Sequence, residues 1–172
     1  MSEESLAQAF ESERRSLVGV AYRMLGSVSE AEDAVQEAWL RLMRTPSSDI
    51  QNLGSWLRTV VARICLDVLR QRRTRREETA GERLPDLWVV DTRADPEEEV
   101  LLGEAVGAAL QCLLEELPPL ERVAFVLHDV FAMPFEEIAP IVERTPAAAR
   151  QLASRGRRRV REAPHEVETD PI

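Results

Sequence analysis

The stretch Met133–Arg161, MPFEEIAPIVERTPAAARQLASRGRRRVR, constrains this chain more than any other. It reads as two helices joined by a tight turn. The first is Phe135–Val142. Thr145 is a good N-cap for the second, and Pro146 falls at the first helical position, where its missing N–H costs nothing. The second helix then runs from Pro146 to about Glu162. Ala149, Leu152, Ala153, Gly156 and Val160 recur at helical spacing and mark its apolar face. Arg150, Gln151, Ser154, Arg155, Arg157 and Arg158 are left on the other faces. This is the layout of a helix-turn-helix whose second helix lies in a DNA major groove, where arginine pairs bidentately with guanine or with phosphate. A C-terminal amphipathic helix with a solvated basic face is the alternative this stretch alone leaves open.

The chain has 172 residues, 44% hydrophobic and 31% charged, which is the composition of a soluble globular protein. That length admits one domain or two small ones. No apolar run approaches a membrane span, and the acidic start MSEESLAQAF is not a signal peptide. The expectation is a cytoplasmic protein with no membrane insertion. A net charge of −9 excludes DNA binding by bulk charge. Its distribution is more telling. Arg58–Arg76 holds seven arginines and one acid, and Arg150–Arg161 holds six arginines and none. Between them, Glu77–Glu121 holds thirteen acids and two arginines. Two separated basic helix ends flank an acidic middle, a pattern that suits two local DNA contacts.

In chain order, residues 5–25 have helical periodicity through Leu6, Phe10, Leu17, Val20, Ala21 and Met24, and Gly26 stops the helix. Ser29-Glu30-Ala31-Glu32 reads as a capping box for a second helix over about 30–44. That helix turns Ala31, Ala34, Val35, Ala38, Trp39, Leu42 and Met43 to one side. Asp33, Gln36, Glu37, Leu40, Arg41 and Arg44 form its outer ridge, either a partner surface or an ordinary solvated face. Thr45–Asn52 is a loop by composition. The third helix, about Leu53–Glu77, buries Trp56, Leu57, Val60, Val61, Ile64, Cys65, Val68 and Leu69 and leaves Arg58, Thr59, Ala62, Arg63, Leu66, Asp67 and Arg70 outside. Its basic end favours the helix dipole, but the arginines exceed what that effect needs.

Residues 78–95 break all periodicity and form a linker with an apolar patch, Leu84, Leu87, Trp88, Val89 and Val90. Asp95-Pro96, followed by acids, opens a fourth helix that runs to about Glu116. Pro118-Pro119 turns the chain into a fifth, Leu120–Val130, with Leu120, Val123, Ala124, Val126 and Leu127 inside. The two cysteines, Cys65 and Cys112, form no CxxC and sit in apolar helical stretches, so both read as core residues. His128 has no metal-ligand companions, and His165 falls in a tail. No phosphate loop, nucleophile elbow or HExxH is present, so the expectation is a protein that is no enzyme and takes no metal or cofactor. The fold expected is all-α: residues 1–77 as one small helical domain, 78–95 as linker, 96–163 as a second, and 164–172 as tail.

Two long stretches carry a family resemblance. AYRMLGSVSEAEDAVQEAWLRLMR with SWLRTVVARICLDVLRQRR resembles region 2 of bacterial sigma-70 factors, and RVAFVLHDVFAMPFEEIAPIVERTPAAARQLASRGRRRVR resembles their region 4. Their order and spacing are similar to the extracytoplasmic-function group, over about residues 10–162. The resemblance implies a subunit that directs core RNA polymerase to −10/−35 promoters and starts DNA-templated transcription. It implies that Asp33, Gln36 and Glu37 grip the clamp helices of the polymerase's largest subunit. It places Gln51, Asn52, Leu53, Ser55 and Trp56, with Arg58, Arg63, Arg70, Arg72 and Arg73, at the melted −10 element. It places Arg150, Gln151, Ser154 and Arg155 on −35 bases, and Arg157 and Arg158 on phosphates. An anti-sigma factor is a further partner of such a protein. A stand-alone helix-turn-helix regulator and a sigma-like decoy are the competing readings.

A narrower subgroup carries a motif like Trp-Leu-Pro-Glu-Pro between the domains, weakened here to Arg83-Leu84-Pro85-Asp86-Leu87, and a SnoaL-like domain after region 4. The expectation is that this chain either lacks that domain or is a piece of a longer protein. Two departures stand in the helix-turn-helix. Glu143 occupies a turn position where glycine is usual, costing about 1 kcal/mol if φ is positive. Pro140 sits inside the first helix and removes one hydrogen bond. Phe125, Phe131, Phe135, Ile138, Ile141, Leu152 and Val160 are expected to supply the core that holds the motif together.

Overall fold

The computed structural model describes residues 2–78 and 98–163, and every regular element among them is helical. α1 spans Glu3–Leu25, α2 Val28–Arg44 and α3 Leu53–Glu78, with a short 3-10 turn at Ser47–Asp49. α4 is Glu98–Glu115 and α5 is Pro119–Phe125, which passes directly into a π turn at Val126–Val130. α6 is Phe135–Val142 and α7 is Pro146–Glu162. The linker up to residue 95, the Arg83–Leu87 motif, the Leu84–Val90 patch, the Asp95-Pro96 start and the tail from Pro164 lie outside the described residues.

Local chemistry sets the helix ends. The Ser2 hydroxyl accepts the Ser5 N–H to open α1. Gly26 closes it in the left-handed region at φ +76°, donating its N–H to the Tyr22 carbonyl. α2 starts two residues before its expected start, because Ser27 rather than Ser29 is the N-cap and accepts from the Glu30 N–H. Glu30 completes no capping box; its carboxylate pairs with Arg72 of α3. Asn52 caps α3 by accepting the Ser55 N–H at 3.0 Å. The fifth helix does not stay α-helical to Val130: its last turn widens, the Phe131 N–H reaching back to the Val126 carbonyl.

α1, α2 and α3 pack as one bundle, and α5 and α6 pack with α7. Phe10, Leu17, Met24, Val35, Leu42 and Leu57 are buried in the first; Val123, Leu127, Ile138 and Ile141 are buried in the second. Met43, expected inside, is 41% exposed, while Trp39 lies half-buried against Phe10 with ring centroids 4.9 Å apart. α3 differs most from its sequence reading. Ala62 and Leu66, expected on its outer face, are buried at 0% and 2%. α5 and α6 pack on α3 as well as α1 and α2, so this helix has neighbours on more sides than one apolar stripe implies.

A polar joint sits beside that apolar contact. The Arg23 carbonyl, in the last turn of α1, accepts from Gln111 Nε2 of α4 at 3.2 Å and from the Arg122 guanidinium of α5 at 3.3 Å. Arg23 in turn donates to the Gly107 carbonyl at 3.1 Å, and Arg72 donates to the Leu25 carbonyl at 2.8 Å. A helix C-terminus is the negative end of the dipole and lacks internal donors, so it draws guanidinium groups. Arg122 is 4% exposed, and burial pushes its guanidinium down to about 10, an effect Glu115 opposes. Burial also pushes the nearby Cys65 thiol up to about 12. Cys112, expected in the core, is exposed instead.

Candidate nucleic-acid interface

The second helix-turn-helix member is built as its sequence demands. The Thr145 hydroxyl accepts the Ala148 N–H at 3.1 Å and Pro146 is the first residue of α7. Ala149, Ala153 and Gly156 face inward. Gly156 has to be small: a Cβ there would stand 3.0 Å from Phe125 Cβ and 3.1 Å from the Glu121 carbonyl oxygen. Phe131, Phe135, Leu152 and Val160 are only partly buried and pack around this core, whereas Phe125, Ile138 and Ile141 are inside it. Glu143 adopts φ +55°, ψ +45°, the left-handed turn that its position demands of a non-glycine residue. Pro140 is the sixth residue of α6, too deep for a first-turn proline, yet α6 runs through it to Val142. Ile138, Ala139, Ile141 and Val142 hold the helix by burial.

The outer surface of α7 divides its arginines by partner. Arg150, Gln151, Ser154, Arg155 and Arg158 are exposed. Arg157 is engaged instead by Asp129 of the π turn, through Nε at 2.6 Å and a second guanidinium nitrogen at 2.9 Å. That bidentate hydrogen bonding holds the Arg157 guanidinium above its usual range. Arg159 Nε lies 2.8 Å from Glu121 Oε2, an ion pair lacking hydrogen-bond alignment. The Arg150 guanidinium carbon lies 5.4 Å from the centre of the Phe135 ring. His128 stacks on the same ring, centroids 3.9 Å apart, and its Nδ1 is 3.1 Å from the Met133 carbonyl. Sequence reasoning found neither Asp129 nor the His128–Phe135 stack. Both depend on the π turn and on the second left-handed residue, Ala132 at φ +55°, and neither has a sequence signature.

The other basic tract is less uniform than its composition. Gln51 and Asn52 are exposed at the start of α3, with Leu53, Ser55, Trp56 and Arg58 half-buried beside them. Arg63, Arg70 and Arg73 are exposed. Arg72 is not an outward cation: it is held by the Leu25 carbonyl and by Glu30. Arg70 and Arg73 line a cleft of about 500 Å³ whose other wall is Pro118, Pro119, Leu120, Glu121 and Leu152. On α2, Asp33 and Gln36 are exposed, and Glu37 pairs with Arg41 at 3.5 Å. Leu40 and Met43 stand beside them, each 41% exposed, which adds apolar area to the ridge. Among the described residues no cluster of His, Cys, Asp or Glu suits a metal ion, and no helix is long and apolar enough to cross a membrane.

The chain is similar in sequence and fold to several known proteins. The profile of sigma-70 region 2 matches residues 9–75, and that of sigma-70 region 4 matches residues 107–160. The chain is 47% identical over 163 residues to the ECF RNA polymerase sigma factor SigJ of Mycobacterium tuberculosis, covering 94% of this chain and 52% of that protein. It is 30% identical to the RNA polymerase sigma factor CarQ of Myxococcus xanthus over 159 residues, which cover 88% of this chain and 84% of CarQ. The crystal structure of SigJ superposes with a TM-score of 0.65 at 42% identity, over 92% of this chain and 54% of that one. The sigma factor RpoE of Bartonella quintana, solved in complex with the anti-sigma factor NepR, shares the fold with a TM-score of 0.67 at 19% identity, covering 92% of this chain and 96% of that one. The chain thus spans about half the length of SigJ.

Proposed function

Because the chain belongs to the sigma-70 family, we propose that, as a member of its extracytoplasmic-function group, it directs core RNA polymerase to promoters built of −10 and −35 elements and so initiates transcription. The carrying observation is the exposed outer face of α7, where Arg150, Gln151, Ser154, Arg155 and Arg158 stand together on a helix positioned by a helix-turn-helix. These residues read the −35 duplex. Gln51, Asn52, Leu53, Ser55 and Trp56, followed by half-buried Arg58 and the exposed Arg63, Arg70 and Arg73, take the −10 strand, with Trp56 offering a ring for an unstacked base. Asp33, Gln36 and Glu37, with the exposed Leu40 and Met43, take the clamp helices of the polymerase. Arg157 and Arg72 belong to the scaffold in this reading, since each already has carboxylate and carbonyl partners or a bidentate acid. The reading divides the chain into a region 2-like unit, residues 1–77, and a region 4-like unit, residues 96–163. It places the protein in the cytoplasm, gives it no catalytic step of its own, and makes an anti-sigma factor its natural antagonist.

The test is a reconstituted transcription assay with core polymerase and a pool of promoter templates. The expected result is transcripts that depend on this chain and start from a shared sequence pattern. Arg150→Ala with Arg155→Ala is expected to abolish promoter selection while core binding by pull-down survives. Loss of core binding in that variant overturns the division of roles. Core binding by the parent chain with no promoter-dependent transcript favours a decoy.

A further inference from the structure

We propose that Phe135 is a positioning residue for Arg150, and that its ring sets how strongly the chain prefers guanine at the base Arg150 reads. The proposal rests on the reading of α7 as the −35 helix. It starts from the difference among the α7 arginines. Arg157 and Arg159 face carboxylates that cancel their charge, and the Asp129 carboxylate also occupies two Arg157 donors. Arg150 instead lies over an aromatic face, 5.4 Å from the Phe135 centroid. A ring attracts the cation through its quadrupole but accepts none of the in-plane N–H bonds. The guanidinium is therefore held while its donors stay available, which suits a bidentate contact to the O6 and N7 of guanine.

The ring itself is fixed from behind the turn. His128 stacks on it at 3.9 Å, and the His128 Nδ1–H donates to the carbonyl of buried Met133. Phe135 is the first residue of α6 and Arg150 the fifth of α7, so the stack joins the starts of both helices. The N-terminal part of a recognition helix is the part that meets base edges. A free arginine loses much rotamer freedom on contact with DNA; one already held loses less. Arg155 and Arg158, exposed and with no ring or acid partner among the described residues, have no such support.

Holoenzyme made from the full chain and bacterial core polymerase is given linear templates randomised upstream, and the transcribed templates are sequenced. Arg150→Ala is expected to erase preference at one position or two adjacent ones. Phe135→Leu is expected to weaken guanine preference at those same positions about two- to fivefold, and nowhere else. Phe135→Tyr and Phe135→Trp, which keep a ring, are expected to retain it, and Phe135→Leu with Arg150→Ala is expected to match Arg150→Ala alone. If Leu unfolds the chain by circular dichroism, Phe135→Met tests the same ring-free state. An unchanged profile in the ring-free variant, or a uniform fall at every position, overturns the positioning role. A profile unchanged by Arg150→Ala overturns the reading of α7 itself, and the positioning proposal with it.

Discussion

Glu143 adopts φ +55° without glycine's freedom, and the turn of the helix-turn-helix holds it there. A side chain in the left-handed region costs about 1–2 kcal/mol, partly offset in Glu143→Gly by the looser unfolded chain. We expect Glu143→Gly to stabilise the chain by about 1 kcal/mol, read as a higher urea midpoint at constant slope; a lower midpoint would sink this account of the turn. Cysteine chemistry is also set residue by residue. Exposed Cys112 should react at once with a thiol reagent in the native chain, and buried Cys65 only after denaturation. The Cys65 thiol moves from 9.0 unfolded to about 12 folded. Below pH 9 both states are protonated and the group contributes no pH dependence. Above it the unfolded thiol ionises while the folded one does not, so stability falls by about 1.4 kcal/mol per pH unit until about pH 12. Cys65→Ala should lack that component, visible as the difference between the two stability–pH curves.

At the scale of elements, the π turn Val126–Val130 organises more than its length suggests. It presents Asp129 to Arg157 and His128 to Phe135, tying α7 and α6 to the end of α5. Asp129 is 18% and Arg157 40% exposed in side-chain terms, so their pairing is screened by solvent. A double-mutant cycle of Asp129→Ala and Arg157→Ala should give a coupling of about 0.5–1 kcal/mol. Zero coupling would make the bidentate contact incidental. Gly156 constrains the same packing from the other side of α7. Alanine gains helix propensity of about 1 kcal/mol but must displace Phe125 or the Glu121 backbone, typically costing about 1–3 kcal/mol. Gly156→Ala should therefore be neutral to destabilising, and a clear rise in melting temperature would show that α5 and α7 can part easily.

The whole molecule turns on the joint between α1, α3, α4 and α5. Arg122 lies buried there with one hydrogen bond to the Arg23 carbonyl, and its Nε has no partner. A charge so placed is costly, and its depressed guanidinium pKa is the signature. Arg122→Met, which keeps the reach and removes the charge, should be at least as stable as the parent chain at neutral pH. Arg122→Ala, which leaves a cavity, should be about 2–3 kcal/mol less stable than Arg122→Met. Equal losses in both would mean the guanidinium bond itself holds the joint. Promoter reading adds a distance argument. Elements about 25 base pairs apart lie about 85 Å apart along straight duplex. A compact chain of this length has a radius of gyration of only about 16 Å. In the proposed function the two units must therefore separate on the polymerase, and small-angle scattering of the free chain should report the compact form.

Periodicity, caps and turn residues place the helices to within a few residues where they are described, apart from the last turn of the fifth, which is a π turn. The Thr145-Pro146 start and the exposure of Arg150, Gln151, Ser154 and Arg155 followed from local chemistry that tertiary context left intact, whereas the left-handed turn at Glu143 was open until the structure gave its φ. What the order of residues does not encode locally is which side of a helix a distant element will cover. Ala62 and Leu66, placed on the outer face of α3 by periodicity, are buried in a fold where α5 and α6, more than fifty residues further on, also pack on α3. Arg72 and Arg157 look like their neighbours in a run of arginines; only folding brought Glu30 and Asp129 within reach of them. The π turn packs against α1, α5, α6 and α7, and no residue pattern announces it. Sequence alone determined the helices and the basic surface. Tertiary packing decided which arginines face a carboxylate and which face solvent, because a cation's availability depends on what else lies within a few ångströms of it.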